Sequence, residues 1–203
     1  MNLPNKITVS RLCLIPVMIF AFYTDAIFEG FKYAGLIAAV IFCFAAFTDF
    51  LDGYIARKYS MVTDTGKFLD PIADKVLVLA ALFLAVEYFG HYIFTIAAII
   101  IITREFAVSA LRQVAATKKV ILAADKLGKY KAVCQYAAMI MLLFYKTVAA
   151  LEPEVRVAVV QTTFLDIYRI ICVSVLFITV VMTIWSGLNY IIKNRRVFKP
   201  DDQ

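Results

Sequence analysis

The sequence predicts an all-α, polytopic membrane protein with six transmembrane helices and both termini in the cytoplasm. Three observations carry that expectation. Of the 203 residues, 63% are apolar, against roughly 45 to 50% in soluble domains. The apolar residues gather into six runs close to the about 20 residues a spanning helix needs. The basic residues crowd into the loops of one side. What remains outside the runs is short loops and tails, so residues 1–203 are expected to form a single membrane-embedded domain. The net charge of +6 then points to an anionic leaflet or an anionic substrate, with no nucleic acid as partner.

The first run lies near Ile7 to Tyr23. It lacks a small-residue cleavage pattern and carries Pro16 in its middle, which predicts a kinked, retained helix. Its opening, Asn2 to Leu12, has a short interfacial helix as the alternative. The second run, Tyr33 to Phe50, ends among acidic residues, and a short polar stretch leads to the third, Pro71 to Phe89. Gly90 and His91 predict a tight turn into the fourth run, Tyr92 to Leu111. The fifth spans Lys131 to Ala149, and the sixth, Ile167 to Ile192, precedes a basic tail.

Lys6, Arg11, Arg57, Lys58, Lys67, Arg112, Lys118, Lys119, Lys126, Lys129, Lys131, Lys193, Arg195, Arg196 and Lys199 share the side of the N terminus. Lys32, Lys146, Arg156 and Arg169 fall on the other side, with Asp25, Glu29, Glu152 and Glu154. The positive-inside rule therefore places the first set in the cytoplasm. Cys13, Cys43, Cys134 and Cys172 each sit in an apolar run without a C-x-x-C pair, which predicts packing in place of zinc or redox chemistry. The one histidine, His91, is expected to be solvated in its turn, which leaves no candidate histidine base.

Carboxylates near a bilayer are costly and usually face a cavity or a partner. Asp49 and Asp52 are spaced i,i+3, about 60° apart on a helix, at the end of the second run. Asp70 and Asp74 are i,i+4, about 40° apart, at the start of the third. A short connection makes the two helices antiparallel neighbours, so the four carboxylates converge at one depth. Such a cluster needs cations or protons. Oxygen-only ligands favour a hard ion, Mg²⁺, Mn²⁺ or Ca²⁺, and a metal pair roughly 4 Å apart suits phosphoryl chemistry.

Against this stand simpler roles: Asp70 before Pro71 as a helix N-cap, and Asp52-Gly53 as a surface turn. Gly53, beside an acidic ligand, lets a flat or charged group approach the backbone. Ala56 lies a turn further on the same face, and Arg57 offers a planar guanidinium for bidentate phosphate contact. Gly66 precedes the second pair, where a helix N-terminus favours an anion; a plain loop role is its alternative.

The stretch Asp49 to Asp74, DFLDGYIARKYSMVTDTGKFLDPIAD, fits D-x2-D-G-x2-A-R-x8-G-x3-D-x3-D without a departure. It resembles the CDP-alcohol phosphotransferase family. The resemblance implies a transferase of phospholipid biosynthesis that cleaves the diphosphate of a CDP-linked lipid or alcohol, releases CMP and joins the phosphoryl group to a hydroxyl. It also implies that Asp49, Asp52, Asp70 and Asp74 bind two divalent ions, Mg²⁺ or Mn²⁺. Asp70 and Asp74 are then catalytic, with Asp74 the general base. Gly53, Ala56, Arg57 and Gly66 surround the donor's cytidine diphosphate. A homodimer, in a bacterial cytoplasmic membrane with the active site facing the cytoplasm, is implied as well.

The flanks NLPNKITVSRLCLIP, GKFLDPIADK, TREFAVSALR and KLGKYK resemble the branch that takes CDP-diacylglycerol as donor and glycerol 3-phosphate as acceptor. That likeness covers about the first two thirds of the chain; beyond Ala150 only hydropathy and a basic tail agree. Asn5, Thr8 and Arg11 form a polar i, i+3, i+6 row. In similar enzymes this row borders the donor nucleotide, and the alternative is an interfacial helix facing headgroups.

A dianionic acceptor needs cations near the carboxylates. Arg104 lies within the fourth run, with Arg112 eight residues on at a similar face, and Lys129 and Lys131 open the fifth. Together they are candidates to clamp the acceptor phosphate. The alternative pairs Arg104 with Glu105 and leaves the lysines to topology. Two further readings stand beside the first: the same chemistry with inositol phosphate, serine or another alcohol as acceptor, and a small cation transporter built on the acidic cluster.

Overall fold

The computed structural model describes residues 3–59, 64–117, 126–151 and 160–195, with side chains over 9–48, 72–117, 127–151 and 164–195. The elements are α1 (Leu3–Phe22), α2 (Thr24–Ile27), α3 (Ala34–Tyr59), α4 (Asp64–Phe89), α5 (Tyr92–Thr117), α6 (Lys126–Leu151) and α7 (Val160–Lys193). No strand occurs among the described residues. Each of the six expected runs falls on a helix of its own, and each helix extends past the apolar stretch into polar sequence. Among the described residues three, Tyr92–Thr117, Leu127–Leu151 and Phe164–Lys193, are long and apolar enough to cross a membrane. Val9–Phe22 and Ala34–Thr48 are shorter apolar segments.

The chain divides into two compact units. Unit 1 comprises Met1–Gly90 and Met139–Cys172. Within it α1 packs against both α3 and α4, and those two also touch each other. The helix α1 runs unbroken from Leu3 to Phe22 with Pro16 inside it, so the stretch expected as an alternative interfacial helix is its first half. Small residues dominate the buried face of α3, with Ala38, Ala39 and Ala45, and on α4 Ala73, Ala81 and Ala85 alternate with larger residues such as Leu77 and Leu82. In a lipid-facing bundle close approach substitutes for a hydrophobic driving force, and small side chains permit it.

The tightest approach is at Gly35, where a Cβ would stand 2.4 Å from the Leu143 carbonyl oxygen and 2.9 Å from the Lys146 Cβ. At the same place the Leu36 N–H, in the unpaired first turn of α3, donates to Thr147 Oγ1 at 2.7 Å. The Lys146 ammonium is buried. It donates to Asp25 Oδ1 at 2.7 Å and to the Phe22 carbonyl, and lies 4.1 Å from the Phe22 ring centroid. This charge, read from sequence only as a cation on the side opposite the N terminus, ties the end of α1 to α6. Cys172 is buried beside the Met141 carbonyl as packing predicts, but Cys13 and Cys43 are exposed, because they fall on outward faces of α1 and α3.

The helix α4 ends as the sequence predicts. Gly90 takes a left-handed φ of 58° and its N–H reaches the Val86 carbonyl at 3.0 Å, a common glycine stop. His91 is exposed and stacks on Tyr92 at 4.3 Å.

Unit 2 comprises His91–Ala138 and Val173–Gln203. Val108, Leu111 and Ala115 of α5 bury one face together with Tyr190 of α7. The buried side of α7 is notably polar: Thr179, Thr183, Ser186 and Tyr190 are all 2% exposed or less. Thr179 and Thr183 satisfy themselves on the carbonyls four residues earlier, at 2.8 and 2.6 Å. Ser186 and Tyr190 instead turn to α5.

Candidate active site

The motif positions fall on two adjoining helices of unit 1. Asp49, Asp52, Gly53, Ala56 and Arg57 lie on the C-terminal part of α3, and Gly66, Asp70 and Asp74 on the N-terminal part of α4. The two simpler roles weighed for the aspartates do not hold for this backbone. Gly53 is inside α3 and not in a turn; Asp70 is beyond the first turn of α4, which begins at Asp64, and so is not its N-cap. Gly66 sits in that first turn, where N–H groups lack intrahelical partners.

The side chains of Asp49, Asp52, Ala56, Arg57 and Asp70, with those of Asn5 and Thr8 on α1, lie outside the described residues. Asp74 is described and is half-buried, one position after the fully buried Ala73. Among the described residues no group of three or more metal-ligating side chains occurs.

The donor set can nevertheless be tested against a metal on its chemistry. Four carboxylates spaced i,i+3 and i,i+4 on touching helices supply oxygen ligands alone, which suits Mg²⁺ or Mn²⁺. The third member of the N-terminal polar row, Arg11, is fully buried on α1, the helix packed against both aspartate-bearing helices. At that residue the row faces the protein interior and not the headgroups.

The basic residues proposed for the acceptor lie in unit 2, where two of them, Arg104 and Lys131, are joined through Glu105. Arg104 Nη2 donates to Ser186 Oγ at 2.8 Å, and Nη1 stands 3.6 Å from Glu105 Oε2. Lys131, 1% exposed, donates from Nζ to the other oxygen, Glu105 Oε1. The pairing of Arg104 with Glu105, weighed above as an alternative, is thus present, and it includes Lys131. Arg112 Nε donates to the Tyr190 hydroxyl at 3.1 Å, with the guanidinium carbon 5.4 Å from the ring centroid. Lys129 is exposed.

Two glycines make room around Arg104. A Cβ on Gly187 would meet its Cγ at 3.0 Å, and one on Gly128 would meet Nη2 at 3.8 Å. The Nε of Arg104 is buried without a hydrogen-bond partner among the described residues. An unsatisfied guanidinium N–H beside a second arginine and a lysine is the kind of donor a phosphate dianion recruits.

Sequence reasoning missed Glu105 as a shared counter-ion, and it missed Ser186, Gly187 and Tyr190 altogether. A signal for the last three existed: hydroxyls at Thr179, Thr183, Ser186 and Tyr190 recur at helical spacing in an otherwise apolar run, marking a face that is not lipid-exposed.

The chain as a whole also resembles known proteins. The family model for CDP-alcohol phosphatidyltransferases matches residues 1–185. The CDP-diacylglycerol–glycerol-3-phosphate 3-phosphatidyltransferase of Pectobacterium atrosepticum is 38% identical over 192 residues, covering 94% of this chain and 93% of that protein. The protein of the same name from Bacillus subtilis is also 38% identical, over 205 residues, 98% of this chain and 97% of its own. The one from Sodalis glossinidius is 36% identical over 193 residues, 94% and 93% of the two chains.

Proposed function

Because the chain belongs to the CDP-alcohol phosphatidyltransferase family, we propose that it transfers the phosphatidyl group of CDP-diacylglycerol to glycerol 3-phosphate, giving phosphatidylglycerophosphate and CMP. One observation carries the reading: the complete motif from Asp49 to Asp74 is laid out on two touching helices, with two aspartates on each. Relatives that cover nearly the whole chain and bear the name of that activity support the donor and the acceptor.

In this reading Asp49, Asp52, Asp70 and Asp74 hold two divalent cations, Mg²⁺ or Mn²⁺. When bound, these supply charge neutralisation for the diphosphate and the developing charge at phosphorus. Gly53, Ala56, Arg57 and Gly66 line the donor's cytidine diphosphate, joined by Asn5 and Thr8 from α1. Arg104, Arg112, Lys129 and Lys131 bind the acceptor phosphate and orient its primary hydroxyl. Asp74 takes the proton of that hydroxyl. The oxygen then bonds to the lipid-side phosphorus, the bridging P–O bond breaks, and CMP leaves with the electron pair. The chain acts as one domain and as a homodimer in the bacterial cytoplasmic membrane. Its termini and active site face the cytoplasm, where the soluble acceptor meets the membrane-borne donor.

The test is CMP release by detergent-purified protein given CDP-diacylglycerol and Mg²⁺ or Mn²⁺. Glycerol 3-phosphate, inositol 1-phosphate and serine are offered separately, with EDTA as control and ion flux read on the same protein in sealed liposomes. Metal-dependent release stimulated by glycerol 3-phosphate alone is expected. Stimulation by another acceptor overturns the acceptor assignment while keeping the chemistry, and ion flux without CMP release returns the acidic cluster to transport.

A further inference from the structure

Glu105 is the one acidic residue on α5, and its two carboxylate oxygens serve two different helices. Oε2 faces Arg104 on its own helix at 3.6 Å, and Oε1 accepts from Lys131 of α6. The environment makes this more than a surface pair. Lys131's side chain is 2% exposed, Arg104's 15% and Glu105's own 26%. An ammonium that deep needs a counter-charge to stay where it is, and a long lysine stem left alone samples many rotamers. Arg104 is fixed from its other end by Ser186, and Gly187 leaves space for its stem.

We propose that Glu105 is a positioning residue for the acceptor site: it holds Arg104 and Lys131 at a fixed spacing as a pair of phosphate donors and does not itself touch the acceptor. This rests on the acceptor clamp of the proposed function and adds to it the part that sets the clamp's geometry. The alternative role for the same carboxylate is as a competitor that occupies the donors until phosphate displaces it. The two roles have opposite signs. A positioning carboxylate, once neutralised, leaves the donors splayed and weakens acceptor binding. A competing carboxylate, once neutralised, leaves them vacant and strengthens it.

The experiment compares wild type, Glu105→Gln and Glu105→Asp, reading kcat and both KM values from CMP release. Glu105→Gln is expected to raise KM for glycerol 3-phosphate at least tenfold. KM for CDP-diacylglycerol should stay within twofold and kcat within about threefold, because the donor and the proton acceptor are held in unit 1. Glu105→Asp, which keeps the charge but shortens the reach, is expected to fall between. An unchanged acceptor KM, or a lower one, overturns the proposal; so does a parallel fall in kcat with no change in acceptor KM.

If Glu105→Gln does not fold, the same comparison in a Lys131→Met background decides. There the charge-keeping Glu105→Asp should add less than twofold, because one of the two donors it positions is gone, and an undiminished effect refutes the pairing. Wild-type protein that ignores glycerol 3-phosphate would instead refute the proposed acceptor. Inhibition by inorganic phosphate, weakened in Glu105→Gln and intact in wild type, would still report the positioning role.

Discussion

Replacing Gly35 by alanine adds a single methyl at the closest approach between α3 and α6. That methyl would lie 2.4 Å from the Leu143 carbonyl oxygen and 2.9 Å from both the Lys146 Cβ and the Thr147 nitrogen. Ordinary carbon contacts sit near 3.5 Å or beyond, so the two helices must separate by about 1 Å. Two of the three obstructing atoms are backbone and the third is a Cβ, so no rotamer change relieves the contact. Overpacking of this kind costs about 1–3 kcal/mol. Separation also stretches the 2.7 Å bond from the Leu36 N–H to Thr147, worth about 1 kcal/mol.

Against these, alanine gains up to about 1 kcal/mol in helix propensity. The net loss is about 1–3 kcal/mol, which for a chain near this length is a fall in Tm of about 2–12 °C. Thermal unfolding in detergent measures it, with Gly30→Ala as the contrast. Gly30 has a φ of 85° but no atom within 4 Å of a built Cβ, so its cost is conformational alone, about 1–2 kcal/mol. A Gly35→Ala protein that melts with wild type would show that the α3–α6 approach is looser than 2.4 Å implies.

Asp74→Asn should remove at least a hundredfold of turnover, the ordinary contribution of a general base, whereas Asp64→Asn, outside the motif at the start of α4, keeps most of it; equal rates in the CMP assay would refute the base assignment. Arg112→Ala should raise KM for glycerol 3-phosphate about tenfold or more, the worth of a charge-assisted hydrogen bond, with the donor KM nearly unmoved. Asp25→Asn should lower Tm more than Lys146→Met does. The first strands a buried ammonium among rings and one carbonyl, while the second releases a carboxylate that is already 38% exposed; the reverse order in detergent melts would refute the staple.

What was legible in the sequence was whatever repeats locally. Six apolar runs and a glycine stop at Gly90 were enough to place six helices and the turn before α5. Eight motif positions at fixed spacing suffice to place the aspartates on paired helices. Arg104 was suspect because an arginine inside an apolar run demands a reason. The identity of its partners was not legible, since Ser186 lies far along the chain and Glu105 beside it looked like a complete explanation. Lys146 failed in the same way: hydropathy assigns a side to a charge but cannot say that α1 ends where its ammonium is. Gly35 gave no signal of its own, because a glycine near a helix start reads as a boundary until its neighbour on α6 is seen.

The adjacency of Arg104 and Glu105 also bears on how the protein is made. A helix threaded into the bilayer before its neighbours are present must carry its polar groups unaided, and a central arginine adds a few kcal/mol to that step. The helix α5 brings an acid of its own within 3.6 Å of that guanidinium, a counter-charge that travels on the same helix as the arginine while Ser186 and Lys131 arrive on α7 and α6.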